Sequence, residues 1–96
     1  MYVLITYDVS GEGGSGLKRL RRVAKICARY GQRVQFSVFE CLLDPAQYEA
    51  LKHEIRQAID ESKDSVRFYN LGRRRQGRVQ HIGAKRPYDP EGTLMV

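Results

Sequence analysis

The sequence has few cysteines and no hydrophobic segment of membrane-spanning length. Its two cysteines, Cys27 and Cys41, form no C-x-x-C motif and have no histidine at zinc-ligand spacing. This pattern excludes a disulfide framework and a typical zinc site. No apolar run approaches the roughly 20 residues that cross a bilayer. We therefore expect a cytoplasmic protein without membrane contact, in which both thiols are buried.

The apolar first segment also lacks the features of a secretion signal. "MYVLITYDV" has no basic leader and no small-residue cleavage site, and its composition favours a β-strand. A length of 96 residues allows one domain with one core. It is too short for the two mononucleotide-binding halves of a complete dinucleotide fold. The sequence thus predicts a single small domain.

Acidic residues are scarce towards both ends of the chain. Residues 1–33 contain seven basic and two acidic side chains, and residues 67–86 contain seven basic and no acidic ones. The segment 44–64 reverses the balance, with three basic and six acidic side chains. The net charge of +6 therefore lies in two basic blocks. Such a distribution either attracts a polyanion, most commonly nucleic acid, or is simply a solvated surface.

Hydrophobic periodicity predicts a strand followed by an amphipathic helix in the first third of the chain. The strand at residues 2–9 is apolar on both faces, which predicts that both faces are covered. The helix is predicted from Leu17 to Tyr30, with Gly31 as its stop. A cationic stripe follows its outer face and consists of Lys18, Arg22, Lys25 and Arg29.

The middle of the chain combines two short strands with a well-marked helix start. In "RVQFSVFECLL" the apolar positions change from even to odd near Ser37, which a period-two pattern cannot do without a bulge or a reversal. Asp44 and Pro45 then provide the N-cap and the first position of a second helix, and Gln47 completes a capping box. This helix is predicted to end near Glu61, and "SVRFYNLG" follows as the last strand.

This order of elements predicts the ferredoxin-like split βαββαβ fold. That fold is an α+β architecture in which a four-stranded antiparallel sheet carries two helices on one face. We assign residues 1–72 to this domain and residues 73–96 to a basic C-terminal tail with a short strand at 79–82. The other face of the sheet would be bare in a monomer. We therefore expect a second copy of the chain to cover it.

The glycine-rich segment after the first strand suggests a dinucleotide site. Gly11, Gly13 and Gly16 satisfy G-x-G-x-x-G between a strand and a helix. The predicted fold has one crossover too few for that function, and the charges of Asp8 and Glu12 would face the pyrophosphate. We therefore interpret the glycines as a flexible connection.

Asp8 is a candidate metal ligand. It continues the Leu4 and Thr6 face of the strand and would point at the predicted dimer surface, where an unpaired charge is costly to desolvate. If the twofold axis passes nearby, two copies of Asp8 repel each other, and Mg²⁺ would relieve that repulsion. Alternatively, Asp8 caps the following loop or pairs with a nearby arginine. The residues alone leave both interpretations open.

Four segments together resemble a known family. They are "YDV", "LKRLRRVAKICARYG", "QRVQFSVFE" and "DSVRFYNLG". They are similar to the small CRISPR-associated endoribonuclease, the second core protein of spacer acquisition and the partner of the CRISPR integrase. The resemblance implies a ferredoxin-like homodimer whose sheets pack face to face, with the tail strand on the partner's sheet. It also implies Mg²⁺, or another divalent cation, at Asp8 of both protomers.

The resemblance implies two possible functions. One is metal-dependent cleavage of RNA or DNA phosphodiesters together with a part in spacer integration. Asp8 would then be the catalytic residue, and turnover would be slow because the sequence offers no clear general base. The other is a non-catalytic dimeric scaffold that holds duplex DNA for the integrase. A regulatory domain for a small ligand fits less well, because it does not explain the basic block at 67–86.

The family's functional positions can be carried over residue by residue. They are occupied here by Tyr7, Asp8, Arg22, Arg33 and Phe39. One position departs from the pattern, because Leu20 stands where some members have a second arginine, and Arg19 or Arg21 would have to replace it. The predicted nucleic-acid-binding residues are Arg19, Arg22, Arg33, Arg73, Arg74 and Arg75, with Tyr7 and Phe39 in supporting roles.

Overall fold

The computed structural model of the protein describes residues 1–10, 13–73, 80 and 82–83. The elements are β1 (Tyr2–Asp8), α1 (Gly13–Tyr30), β2 (Gly31–Gln35), β3 (Val38–Leu42), α2 (Pro45–Ala58) and β4 (Ser65–Asn70). The strands form one sheet in the order β2-β3-β1-β4, and all neighbouring strands are antiparallel. The predicted order of elements and the ferredoxin-like α+β fold are confirmed.

The hydrophobic core lies between one face of the sheet and the two helices. Alternate β1 residues point into it, because successive side chains of a strand face opposite sides of a sheet. The buried cluster consists of Val3, Ile5, Tyr7, Val9, Val23, Ile26, Cys27, Phe39, Cys41, Leu43, Leu51, Ile55 and Ala58. Burial raises the pKa of the Cys27 and Cys41 thiols to about 12 each. The expectation of two buried thiols is confirmed.

The first helix begins earlier than its hydrophobic pattern indicates. α1 starts at Gly13 rather than at Leu17, so Gly13 and Gly16 are helical and do not form a flexible connection. The pattern missed this turn because its residues carry no large apolar side chain from which a period could be read. Gly11 lies outside the described residues.

The second helix has the predicted start and a slightly earlier end. Asp44 Oδ1 accepts a hydrogen bond from the Gln47 amide at 2.7 Å, and Gln47 Oε1 accepts one from the Asp44 amide at 2.9 Å. This reciprocal pair confirms the capping box. α2 ends at Ala58 rather than near Glu61.

The predicted reversal near Ser37 is a two-residue turn, at positions 36 and 37, that joins β2 to β3. A register irregularity between Arg33 and Gln35 accompanies it. The Tyr7 amide donates a hydrogen bond to the Ser37 carbonyl at 3.1 Å. The hairpin tip is therefore fastened to the carboxyl end of β1.

The sheet face away from the helices is only partly open. Tyr2 and Glu40 are buried on this face, and Leu4 and Thr6 are half-buried. Its exposed strip includes Asp8, Ser65, Arg67 and Tyr69. The prediction of a bare face thus holds for the end of β1 and for β4.

The predicted tail strand lies mostly outside the described residues. Gln80 and Ile82 are described; neither belongs to a strand, and Ile82 is 94% exposed. Among the helices of the described segments, none is long and apolar enough to cross a bilayer.

Gly31 is where α1 passes into β2 without a connecting loop. A Cβ at this position would overlap the Glu40 carbonyl oxygen and lie 2.9 Å from Cys41 Cα. The neighbouring strand β3 therefore leaves no room for a side chain at position 31. We expect Gly31→Ala to lower the free energy of unfolding by about 2 kcal/mol because the strands must separate locally.

Gly14→Ala is the matched control. A Cβ there meets no described atom within 4 Å, and alanine is the better helix former by about 0.5–1 kcal/mol, so this variant should be stabilised. Urea unfolding midpoints of the two variants measure the difference. Equal midpoints would contradict the close approach of Gly31 to β3.

Candidate functional site

Asp8 is the last residue of the central strand. β1 is paired with β3 on one edge and β4 on the other, and the register places Asp8 opposite Ser65. Its side chain is exposed on the sheet face away from the helices. Within the described segments its carboxylate has neither an ion pair nor a hydrogen bond, so no described arginine neutralises it. The alternative prediction, that Asp8 caps the loop at Gly11, concerns residues outside those segments.

A buried ion pair holds the chain around Asp8 in place. Asp64 precedes β4, and its side chain is fully buried. Its carboxylate accepts hydrogen bonds from Arg19 Nε at 2.8 Å, the Asp60 amide at 2.8 Å and the Ser10 amide at 3.1 Å. Burial by itself would raise the pKa of Asp64, but these hydrogen bonds outweigh burial, and the pKa lies below its usual value.

This ion pair gives Arg19 a structural role. The guanidinium of Arg19 lies against Asp64, which raises the pKa of Arg19. Its contact with nucleic acid stays a prediction. The segment after β1, α1 and the connection into β4 meet at this point. Sequence patterns did not indicate Asp64, because its partner is 45 residues away along the chain.

Tyr7, Arg33 and Phe39 come together on the helix side of the same sheet end. The Tyr7 and Phe39 rings are stacked, with centroids 6.2 Å apart. Arg33 Nη2 donates to the Tyr7 hydroxyl at 3.3 Å, and its guanidinium carbon lies 5.2 Å from the Phe39 centroid and 5.7 Å from that of Phe36. None of the ion pairs found in the described segments involves Arg33. Aromatic contacts therefore orient this cation without neutralising it.

One residue of the predicted cationic stripe on α1, Arg29, forms an ion pair with an acidic residue on α2. Glu54 forms an ion pair with Arg29 and accepts a hydrogen bond from the Tyr30 hydroxyl at 2.6 Å. The hydrogen bonds from Tyr30 and Arg29 lower the pKa of Glu54. Arg22 and Lys25 have no ion-pair partner within the described part of the chain.

Two grooves border the free cations of α1. The first, of about 480 Å³, lies between α1 and α2 and is lined in part by Arg22 and Lys25. The second, of about 450 Å³, lies between α1 and the β2–β3 hairpin and is lined in part by Lys25 and Arg33. Lys25 borders both grooves, so the two grooves are neighbours. Arg22, Lys25 and Arg33 therefore form one continuous cationic surface.

The arginines at the start of the tail are not near Asp8. Arg73 is exposed just beyond β4, and the Tyr2 amide donates to the Gly72 carbonyl at 2.6 Å. This contact places Arg73 at the opposite end of the sheet from Asp8. Arg74 and Arg75 lie outside the described residues.

One protomer provides a partial set of ligands for a divalent cation. Across the described segments, no three His, Cys, Asp or Glu side chains cluster as metal ligands. Asp8 offers the hard oxygen donors that Mg²⁺ prefers. It fits a cation site only if other oxygen ligands, from a second copy, from a substrate phosphate or from water, complete the coordination.

The fold and the site define a small ferredoxin-like protein with a cationic surface on its helix side and, at the end of β1, a carboxylate that pairs with no described side chain. The sequence model of the family described as CRISPR associated protein Cas2 matches residues 1–79. The chain belongs to the Cas2 family, and the family predicted from the four sequence segments is confirmed.

Individual relatives agree with this assignment. The "CRISPR-associated endoribonuclease Cas2" of Chlorobaculum tepidum is 57% identical over 96 residues, which cover 100% of both chains. The "CRISPR-associated endonuclease Cas2" of Halalkalibacterium halodurans is 55% identical over 95 residues, covering 99% of each. The crystal structure of Streptococcus pyogenes Cas2 superposes with a TM-score of 0.77 at 57% identity, over 86% of this chain and 100% of that one.

The Arg19–Asp64 ion pair makes stability depend on pH. Because the folded-state pKa of Asp64 is lowered, its stabilisation is complete above the unfolded value of about 3.9 and is lost as the pH falls through the folded value. We expect Asp64→Asn to lower the free energy of unfolding at about pH 7, since it leaves the partly buried Arg19 guanidinium without its ion pair. This loss of stability should shrink at about pH 3.

Urea unfolding of both proteins at the two pH values measures this change. Glu61→Gln serves as the control, because Glu61 is an exposed carboxylate without an ion pair among the described residues. A stability difference for Asp64→Asn that stays the same at both pH values would contradict the proposed ion-pair role.

Proposed function

We propose that the chain is a divalent-metal-dependent endonuclease that cleaves RNA or DNA phosphodiesters and takes part in CRISPR spacer integration with the integrase. The active unit is a homodimer in which Asp8 of each copy would hold the divalent cation. The observation that carries the proposal is the exposed Asp8 carboxylate, which has no partner among the described residues at the end of a paired strand. The names of the relatives support nuclease activity.

The dimer follows from the chemistry of the open strip of the sheet. A second copy packed there would remove Asp8 from water and bring two like charges together, which is unfavourable without compensation. Carboxylate oxygens from both chains, together with waters and phosphate oxygens, meet the coordination preference of Mg²⁺. When bound, the cation supplies Lewis-acid stabilisation of the phosphate charge and acidifies a coordinated water.

The chain's own residues position the nucleic acid. Arg33, oriented by Tyr7 and Phe39, presents its free donors to a phosphate near the end of β1. Arg22 and Lys25 contact phosphates further along the same polymer. The sequence offers no clear general base to take a proton from the attacking water, so turnover is slow.

Asp8→Asn tests the nuclease. We expect cleavage of labelled single-stranded RNA to fall roughly 100-fold or more, because the cation loses a charged ligand. RNA affinity, measured separately by anisotropy, should change less than about twofold, since phosphate binding rests on the arginines. Removal of divalent cations with EDTA should have the same effect on the wild type and be reversed by added Mg²⁺.

Glu61→Gln is the matched control, because it changes the charge equally at an exposed carboxylate that has no ion pair among the described residues. It should cleave like the wild type. Full activity of purified Asp8→Asn, or activity that persists in EDTA, would overturn the nuclease proposal.

A non-catalytic scaffold is the second candidate. It is favoured by Arg22 and Lys25, which are exposed, border a groove and lack ion-pair partners in the described segments. In this case duplex DNA lies along α1, and Asp8 is dispensable. An integration assay with Asp8→Asn separates the candidates, because a scaffold predicts wild-type integration and a nuclease whose cleavage is needed predicts loss.

The α1 surface has a measurable electrostatic signature in either case. Each phosphate contact releases counterions, so Arg22→Gln should weaken duplex DNA binding and reduce the slope of log K against log salt by about 0.9. Arg56→Gln, which removes the same charge from an exposed position on α2, is the control and should leave the slope unchanged. Equal effects of the two variants would indicate a diffuse charge effect rather than contacts on α1.

A further inference from the structure

We infer that Phe36, at the tip of the β2–β3 hairpin, is a stacking platform for an unpaired nucleobase and that Arg33 holds the adjacent phosphate. This inference rests on the proposed function in one respect, namely that the ligand is a nucleic acid. Phe36 is 73% exposed, whereas Phe39 is 2% exposed. A single exposed aromatic ring is common on protein surfaces. The inference therefore depends on what surrounds the ring.

The backbone beneath Phe36 is fastened to the strand that ends in Asp8. The Tyr7 hydroxyl donates to the Phe36 carbonyl at 3.3 Å, and the Tyr7 amide donates to the Ser37 carbonyl at 3.1 Å. Tyr7 is buried and immediately precedes Asp8. The exposed ring is thus held at the same end of the sheet as the candidate metal ligand.

The guanidinium beside Phe36 is oriented and carries a charge that no described carboxylate pairs with. The Arg33 guanidinium carbon lies 5.7 Å from the Phe36 centroid, and its Nη2 donates to the Tyr7 hydroxyl at 3.3 Å. The remaining donors of Arg33 are available to a phosphate. An aromatic face beside a cation is the combination with which proteins bind single strands, because every base has a face that can stack and every nucleotide has a phosphate.

The charge around the platform favours a nucleic acid over an apolar partner. Lys25, Gln32 and Arg33 line the neighbouring groove, and none of the described residues that line it is acidic. A duplex cannot offer a base face here without opening, because its bases are paired and stacked on one another. The platform therefore selects single-stranded segments and discriminates little between bases.

Phe36→Leu tests the platform, because leucine keeps an apolar side chain and removes the aromatic face. Affinity for fluorescein-labelled oligouridylate RNA is measured by anisotropy in EDTA, so that cleavage does not contribute. We expect Phe36→Leu to weaken binding about tenfold and Phe36→Trp to preserve it. Affinity for duplex DNA should be unchanged, and so should the melting temperature, because the ring is mostly exposed.

An oligomer with the same backbone but no bases provides the second comparison. It should bind the wild type and Phe36→Leu equally, since the contribution of stacking is absent from both. The inference is overturned if Phe36→Leu binds oligouridylate as tightly as the wild type, or if it loses affinity equally for the oligomer without bases. A change of oligomeric state in Phe36→Leu would also overturn it, by assigning the ring to a contact with a second copy.

These results are independent of the nuclease test. Binding in EDTA does not involve Asp8, so failure of the platform leaves metal-dependent cleavage standing. Loss of the nuclease proposal likewise leaves the binding result intact.

Discussion

The candidate site depends on the pairing of β1 along both of its edges. Hydrogen bonds to β3 and β4 fix its register, and strand alternation then sends Tyr7 into the core and Asp8 to the opposite face. Two adjacent residues thus acquire different roles from one backbone constraint. Tyr7 connects the hairpin to Arg33, and Asp8, opposite Ser65 at the last position of the β1–β4 ladder, offers a carboxylate that pairs with no described side chain.

The second constraint is the division of the basic residues into structural and available groups. Arg19 is paired with buried Asp64 and Arg29 with Glu54. Arg22, Lys25 and Arg33 have no such partner in the described part of the chain. The sequence of α1 predicts a uniformly cationic helix, but only some of its basic side chains are available to bind a polyanion. The ion pairs hold α1 against the connection into β4 and against α2, so they position the free cations.

The nuclease and the scaffold use different parts of this arrangement. The proposed cleavage depends on Asp8 and on a cation whose coordination a second copy would complete, whereas the proposed binding of duplex DNA depends on the α1 surface. The inferred stacking platform at Phe36 would add a preference for unpaired nucleotides at the same end of the sheet as Asp8. A protein with all three features would engage a duplex along its helices and a single-stranded segment at the end of its sheet.

The sequence by itself determined the order of elements, the capping box at Asp44 and the reversal at Ser37. These are local signals, read from period, capping chemistry and composition over a few neighbouring residues. It missed the first turn of α1, where glycines leave no hydrophobic period, and the pairing of Arg19 with Asp64. Only the tertiary structure decided which arginines are neutralised and where Phe36 stands relative to Asp8. Such contacts join positions far apart along the chain, and no local pattern records a long-range approach.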